Sequence, residues 1–130
     1  MNLTPENATD APITPVATER PLLDHERLHC FQVALEFAAM VPALTQAARP
    51  SLRDQLERAA ASVALTLAEG CGRRTKRDRN HFFSIAQGSA LECAAAIDLL
   101  RVNGHVSLPE ATRAKHKLTR IVQMLIGLRR

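Results

Sequence analysis

The sequence predicts an all-α protein, an up-down-up-down antiparallel four-helix bundle that follows a disordered N-terminal tail. Apolar residues recur with helical spacing in four segments, and turn signals separate these segments. Hydrophobic residues make up 46% of the chain but aromatic residues only 3%, which favours closely packed helices of Ala, Leu, Val and Ile over a sheet. A length of 130 residues suits one domain. We place this domain at residues 23–130 and the tail at residues 1–22.

The tail is predicted from its prolines. Residues 1–22 hold four of the seven prolines and show no periodic apolar pattern. Each proline removes a backbone donor and disfavours helix in the residue before it. We therefore expect this segment to be disordered.

The first two helices are predicted between residues 24 and 71. The first runs from about Asp24, as N-cap, to about Ala47, and Pro42 should kink it or end its regular part. The second runs from about Leu52 to Cys71, with Ser51 as its cap. Gly70 and Gly72 should end it in the left-handed conformation. The predicted apolar stripes are Leu28, Phe31, Leu35, Ala38 and Val41, then Leu52, Leu56, Ala59, Val63 and Leu67.

The last two helices are predicted in the second half of the chain. The third begins near Thr75, with Asp78 in a shortened capping box, and ends at Asn103 and Gly104. The fourth begins near Leu108–Pro109. The third stripe comprises Phe82, Ile85, Ala86, Ser89, Cys93, Ala96, Ile97 and Leu100; the fourth comprises Ala111, Ala114, Leu118, Ile121, Leu125 and Leu128.

Charge is distributed unevenly along the chain. Residues 1–72 carry five Lys/Arg against nine Asp/Glu, whereas residues 73–130 carry twelve against four. A basic half favours a polyanionic partner, and it equally suits self-assembly with the acidic half of a neighbouring copy.

Cysteine usage and hydropathy favour a cytoplasmic location. Three unpaired cysteines, Cys30, Cys71 and Cys93, suit a reducing compartment. The N-terminus lacks the pattern of a signal peptide. No apolar run approaches the roughly 20 residues that cross a bilayer, so we expect no membrane association.

The turn between the second and third helices is the strongest candidate site. The segment "GCGRRTKRDRN", residues 70–80, brings together Arg73, Arg74, Lys76, Arg77 and Arg79. These side chains and the start of a helix favour phosphate groups of nucleic acid. The alternative is a solvated turn whose charges pair with Asp78 or with a neighbouring copy. The order of residues excludes a nucleotide-binding P-loop.

A second basic set lies on the fourth helix. Arg113, Lys117 and Arg120 share one helix face and form a second candidate nucleic-acid contact, although an ordinary solvated stripe has the same pattern. Arg129 and Arg130 complement the C-terminal helix dipole without any ligand. Because aromatic residues are scarce, nucleic acid would be contacted through backbone phosphates, with low sequence specificity.

Other polar residues are interpreted as structural. Ser62, Glu69, Ser89 and Glu92 should form a polar network between helices, with Glu92 partly buried. Gly88 should mark the close approach of another helix. The motif "HERLH", residues 25–29, matches HExxH, but it is short and lies at a helix start, so we interpret it as a chance match. We expect no catalytic residues, no metal and no cofactor.

The segment "SVALTLAEGCGRRTKRDRNHFFSIAQGSALE", residues 62–92, resembles the family known as four helix bundle proteins. That family includes proteins encoded within intervening sequences of bacterial 23S rRNA genes and the accessory variability determinant of diversity-generating retroelements. The matching positions are Ser62, Ala68, Glu69, Gly70, Arg73, Arg74, Thr75, Lys76, Phe82, Ile85, Ala86, Gly88, Ser89 and Glu92. Ala64, Thr66 and Gln87 stand where the family often has Pro, Asn and Arg.

The resemblance implies a homo-pentameric four-helix bundle without enzymatic activity, related to a member that binds nucleic acid and a reverse transcriptase. We therefore expect a non-enzymatic oligomeric scaffold that binds RNA or DNA, or a nucleoprotein partner such as a reverse transcriptase. The alternative is a purely structural homo-oligomer whose charge asymmetry serves self-assembly.

Overall fold

The computed structural model describes residues 23–130, so the predicted tail at residues 1–22 lies outside the described residues. The described part contains a short 3-10 helix, Asp24–Arg27, and four α-helices. These are α1 (His29–Leu44), α2 (Pro50–Cys71), α3 (Lys76–Val102) and α4 (Leu108–Leu128).

The four helices form a closed bundle. Each helix packs against its neighbours in the chain, and α1 also packs against α4. The connections at residues 45–49, 72–75 and 103–107 are short, so consecutive helices run antiparallel. The predicted fold class, an all-α up-down-up-down bundle, is confirmed.

The core is aliphatic and rich in alanine. Its largest fully buried apolar side chains come from all four helices: Val33, Phe37, Leu56, Val63, Leu67, Cys93, Ile97, Leu100, Ile121 and Leu125. Buried alanines, such as Ala60, Ala86, Ala90 and Ala114, let the helix backbones approach closely. The stripe predicted for α4 is buried except at Leu128, which is only partly buried.

The start of the first helix differs from the prediction. Asp24 opens the 3-10 helix and does not cap α1, because Leu28 adopts an extended conformation between the two elements. α1 ends at Leu44, two residues after Pro42. The hydroxyl of the buried Thr45 then donates to the Val41 carbonyl, at 2.8 Å between oxygens.

The apolar stripe predicted for α1 is out of phase with the core, whereas the stripe predicted for α3 is buried at Ala86, Cys93, Ala96, Ile97 and Leu100 and departs from the core at three positions. In α1 the buried residues are Cys30, Val33, Ala34, Phe37, Val41 and Leu44, and of the predicted stripe only Val41 is buried. In α3, Phe83 and Ala90 are buried, whereas Phe82 is partly buried, Ser89 is partly buried and Ile85 is exposed. Both helices carry apolar residues on more than one face, so periodicity alone does not fix which face is buried.

The helix ends follow local chemistry, with two corrections. α2 begins at Pro50, so Ser51 lies inside the helix and no side chain caps it. Among the described glycines, only Gly104 has a positive φ, of 78°. Gly70 and Gly72 are therefore not left-handed. The predicted roles of Thr75 as N-cap of α3 and of Gly104 at its end are confirmed. α4 begins with a full capping box between Ser107 and Glu110.

α3 combines length with an apolar stretch. Among the described helices, it alone is long and apolar enough to cross a membrane by these two criteria. Glu92 and Asp98 interrupt this helix, so it is not the uninterrupted apolar run that was expected to be absent. A core helix of a soluble bundle passes the same test, and α3 packs one face against α2 and α4.

Candidate nucleic-acid interface

The basic turn is held by packing beneath it. Gly70 is buried near the end of α2, and a Cβ added there would lie 2.8 Å from Cε1 of Phe83 and 3.1 Å from Cβ of Phe82. Only a residue without a side chain allows this approach, so the end of α2 and the start of α3 are drawn together. The conformation of the turn therefore rests on the core below it.

The start of α3 is fixed by its cap. The Asp78 backbone N–H donates to the Thr75 hydroxyl oxygen, at 3.1 Å. This bond satisfies one of the free donors of the first turn. The next residues, from Lys76 onward, are thus placed on a regular helix rather than on a loose loop.

One of the five basic side chains of the turn is already engaged. Arg73 forms an ion pair with Glu69, at 2.8 Å between Nη2 and Oε1. Its guanidinium carbon also lies 4.5 Å from the centroid of the Phe82 ring, a cation–π contact. Both partners of the ion pair are well exposed, so the pair adds little to stability. It does hold Arg73 in one orientation.

The other four cations are exposed. Arg74, Lys76, Arg77 and Arg79 form no ion pair with any described residue. Asp78, the acidic residue inside the turn, is equally exposed and forms no ion pair in the described part of the chain. The surface formed by these four basic residues is called the basic corner below.

The second basic set is divided by its contacts with α1. Lys117 forms an ion pair with Glu36, at 3.4 Å between Nζ and Oε1, and both side chains are largely buried. The guanidinium of Arg120 lies 2.7 Å from Nε2 of His29. Arg113 is exposed and forms no ion pair with a described residue. Two of the three side chains therefore connect α4 to α1.

Three residues of the predicted polar network, Ser62, Ser89 and Glu92, line one surface cleft, and Glu69 does not. The Ser62 and Ser89 hydroxyls are 2.8 Å apart across the α2–α3 contact. Glu69 instead pairs with Arg73. The expectation that Glu92 is partly buried is wrong, because α3 turns it toward solvent, where it lines a shallow surface cleft with Arg58.

The HExxH residues do not share a helix face. His25 lies on the 3-10 helix, with its ring centroid 4.7 Å from that of Phe31 in an edge-on contact. His29 lies beyond the break at Leu28 and contacts Arg120. The paired imidazoles that the motif requires on one continuous helix are therefore not formed.

Sequence reasoning missed the role of Arg129. Its guanidinium donates to the Ser84 hydroxyl, at 3.2 Å, and to the side-chain oxygen of Gln87. The amide of Asn80 donates to the Arg129 carbonyl, at 3.3 Å. These contacts join the end of α4 to α3. No local pattern could have indicated them, since the partners lie more than 40 positions apart.

One family of known proteins matches most of the chain. The sequence profile of the family described as 23S rRNA-intervening sequence protein matches residues 26–127. A search of the curated proteins found no match. The matched range runs from the 3-10 helix through nearly all of α4 and includes the basic corner. The chain therefore belongs to the family of 23S rRNA-intervening sequence proteins.

Proposed function

We propose that the protein binds nucleic acid without enzymatic activity, through backbone phosphates that contact the basic corner. The observation that carries the proposal is the exposure of Arg74, Lys76, Arg77 and Arg79 without a carboxylate partner among the described residues. Four like charges within six residues repel one another, and a polyanion relieves that repulsion.

Membership of the family supports RNA as the polyanion. The family takes its name from intervening sequences of 23S rRNA. A nucleoprotein partner, such as a reverse transcriptase, is the finer form of the proposal and rests on the resemblance to the retroelement protein. We place this function in the cytoplasm, since the free thiols Cys30, Cys71 and Cys93 suit a reducing compartment.

Salt-dependent binding to an RNA duplex of mixed sequence tests the proposal. For Arg74→Gln/Arg77→Gln we expect weaker binding. The slope of the logarithm of the binding constant against the logarithm of the salt concentration should be smaller in magnitude by about two, one for each lost phosphate contact. Arg49→Gln/Arg101→Gln is the matched control, because it removes the same charge from exposed positions outside both candidate basic sets. The control should bind as the wild type does.

Two further measurements on the duplex bear on the proposal. If Arg74→Gln/Arg77→Gln binds the duplex with unchanged affinity and slope, the basic corner is not the contact. A change of duplex sequence should alter affinity little, because phosphates carry no base identity.

The second candidate function is a purely structural homo-oligomer, a pentamer in the resembling family. One observation favours self-association: α3 exposes Leu91, Leu99 and Val102 on the side away from the core. If no RNA binds at low salt while Arg74→Gln/Arg77→Gln disrupts an oligomer, the basic corner serves assembly instead.

A further inference from the structure

A cleft lies beside the basic corner at the same end of the bundle. It has a volume of about 500 Å³, within the range of small-ligand sites. Its lining comes from the 3-10 helix, the end of α2, the start of α3 and the end of α4. Residues distant in the sequence therefore meet around one space.

The charged side chains of the cleft are mainly basic. Lys76, Arg79 and Arg130 line it, against one carboxylate, Asp24. None of these four side chains forms an ion pair with a described residue. The side chains thus carry two positive charges in excess. An internal phosphate diester carries one negative charge, whereas a terminal phosphate carries nearly two near neutral pH.

Arg130 is held at the cleft by its neighbours. Asn80, which also lines the cleft, donates to the Arg129 carbonyl at 3.3 Å. The Arg129 side chain is bound to Ser84 and Gln87 of α3. The end of α4 is therefore fastened to α3, which keeps the third cation close to the other two.

Part of the lining is apolar. Leu28, Phe83 and Leu128 contribute apolar side chains from three separate parts of the chain. A free inorganic anion gains little from such walls, whereas a nucleoside attached to the phosphate can cover them. Charge and lining together favour the end of a strand over a point within it.

We propose that this cleft binds the terminal phosphate of a nucleic-acid strand, held by Lys76, Arg79 and Arg130, with the terminal nucleoside against Leu28 and Leu128. The inference rests on the proposed function and deepens it. Arg74 and Arg77 of the basic corner contact the strand along its backbone, and the cleft, which shares Lys76 and Arg79 with the corner, receives its end.

Cys71 provides a site-specific readout. It lines the cleft and is partly exposed, whereas Cys30 and Cys93 are buried. Burial raises the pKa of the Cys71 thiol, the Asp24 carboxylate raises it further, and Arg79 partly offsets both. Maleimide labelling at mildly alkaline pH therefore modifies this thiol first, and a bound ligand should slow it.

The experiment compares single-stranded RNA oligonucleotides of one sequence with a 5′-phosphate, a 3′-phosphate or hydroxyls at both ends. The full-length protein should bind one phosphorylated form roughly tenfold more tightly than the hydroxyl form, as one added charge-assisted contact provides. The same form should slow Cys71 labelling, followed by mass spectrometry. Arg79→Gln/Arg130→Gln should remove the preference.

Arg74→Gln/Arg77→Gln is the matched control, because it removes the same charge outside the cleft. This variant should bind all forms more weakly but keep the preference for the terminal phosphate. Equal affinity for all three oligonucleotides, or a preference that survives Arg79→Gln/Arg130→Gln, would overturn the inference.

Failures of the two proposals are distinguishable. Duplex binding that depends on the basic corner, without any terminal-phosphate preference, rejects the cleft and retains the proposed function. Terminal-phosphate protection of Cys71, with duplex binding indifferent to Arg74→Gln/Arg77→Gln, rejects the corner and retains the cleft.

Discussion

Gly70 and Gly88 both lie inside helices, but their surroundings are opposite. Gly70 is buried, and an added Cβ would lie 2.8 Å from the Phe83 ring. Gly88 is exposed, and an added Cβ would meet nothing within 4 Å. The expectation that Gly88 marks a close approach within the bundle is therefore wrong. The close approach occurs at Gly70.

This contrast predicts opposite effects of one substitution. Gly70→Ala should lower the free energy of unfolding by about 1–3 kcal/mol, because the buried Phe83 ring must shift. Gly88→Ala should raise it by about 0.5–1 kcal/mol, because alanine favours helix and nothing obstructs it. Urea unfolding measures both. Equal effects would contradict the described packing around Gly70.

Single residues were predictable where the determinant is local. Thr75 was assigned correctly as the cap of α3, and Gly104 as part of its end, because these signals depend on a few neighbouring residues. Lys117 and Arg120 were not, because their contacts with Glu36 and His29 join positions about 80–90 residues apart. The prediction that Glu92 is partly buried was wrong because neighbouring positions of a helix point in different directions. Cys93 faces the core, whereas Glu92 faces solvent.

At the scale of elements, α3 differs from the other helices. Its core face buries Phe83, Ala90, Ile97 and Leu100, yet Leu91, Leu99 and Val102 are more than half exposed. A helix that is apolar on two sides usually has partners on both. Within residues 23–130, nothing covers the outer side.

We therefore expect the protein to self-associate through this outer side of α3. Leu91→Gln/Leu99→Gln should shift the sedimentation equilibrium toward the monomer, because association of the variant no longer buries these two leucine side chains. Leu65→Gln/Leu108→Gln is the matched control, because it changes two equally exposed leucines outside α3.

Two sedimentation results would count against this prediction. A wild-type protein that stays monomeric at all concentrations rejects self-association altogether. Equal dissociation of the two double variants moves the interface away from α3.

The helices were easier to locate than to orient. α4 has charged residues on one side only, so its periodicity fixed the buried face. α1 and α3 have apolar residues on more than one side, so Leu35 and Ile85 were assigned to the core although they lie outside it. In such helices, contacts with the other helices decide which face is buried.

At the scale of the whole molecule, the fold class was predictable because it depends on pattern rather than on detail. Four helical segments with short connections allow few arrangements other than an up-down-up-down bundle. The exposure of the basic corner also followed from its polar sequence. The Arg73 ion pair and the cleft beside the corner did not, because they depend on how the helix ends meet.

The buried thiols make stability depend on pH. Burial, with a smaller contribution from neighbouring Cys71 or Glu92, raises the pKa values of Cys30 and Cys93 from an ordinary value of 9.0 to about 12. Above the unfolded value, the unfolded chain releases protons that the folded chain keeps. The free energy of unfolding therefore falls as pH rises through this window, by at most about 1.4 kcal/mol per thiol per pH unit.

Urea unfolding under reducing conditions at about pH 8 and about pH 10.5 measures this loss. The variant Cys30→Ala/Cys93→Ala is the control, since it has no buried thiol to titrate at these positions. It should lose less stability between the two pH values than the wild type does. Identical losses would assign the alkaline sensitivity to other groups.

The meeting of Asp24 and Arg130 at one cleft has a practical consequence for protein engineering. Because these two residues line one cleft, a short linker should be able to join them in a variant limited to residues 24–130. Cutting the backbone instead within residues 103–107 would create a circular permutant whose new termini lie at the far end of the bundle. Any fused reporter would then be carried away from the surface that we propose for nucleic acid.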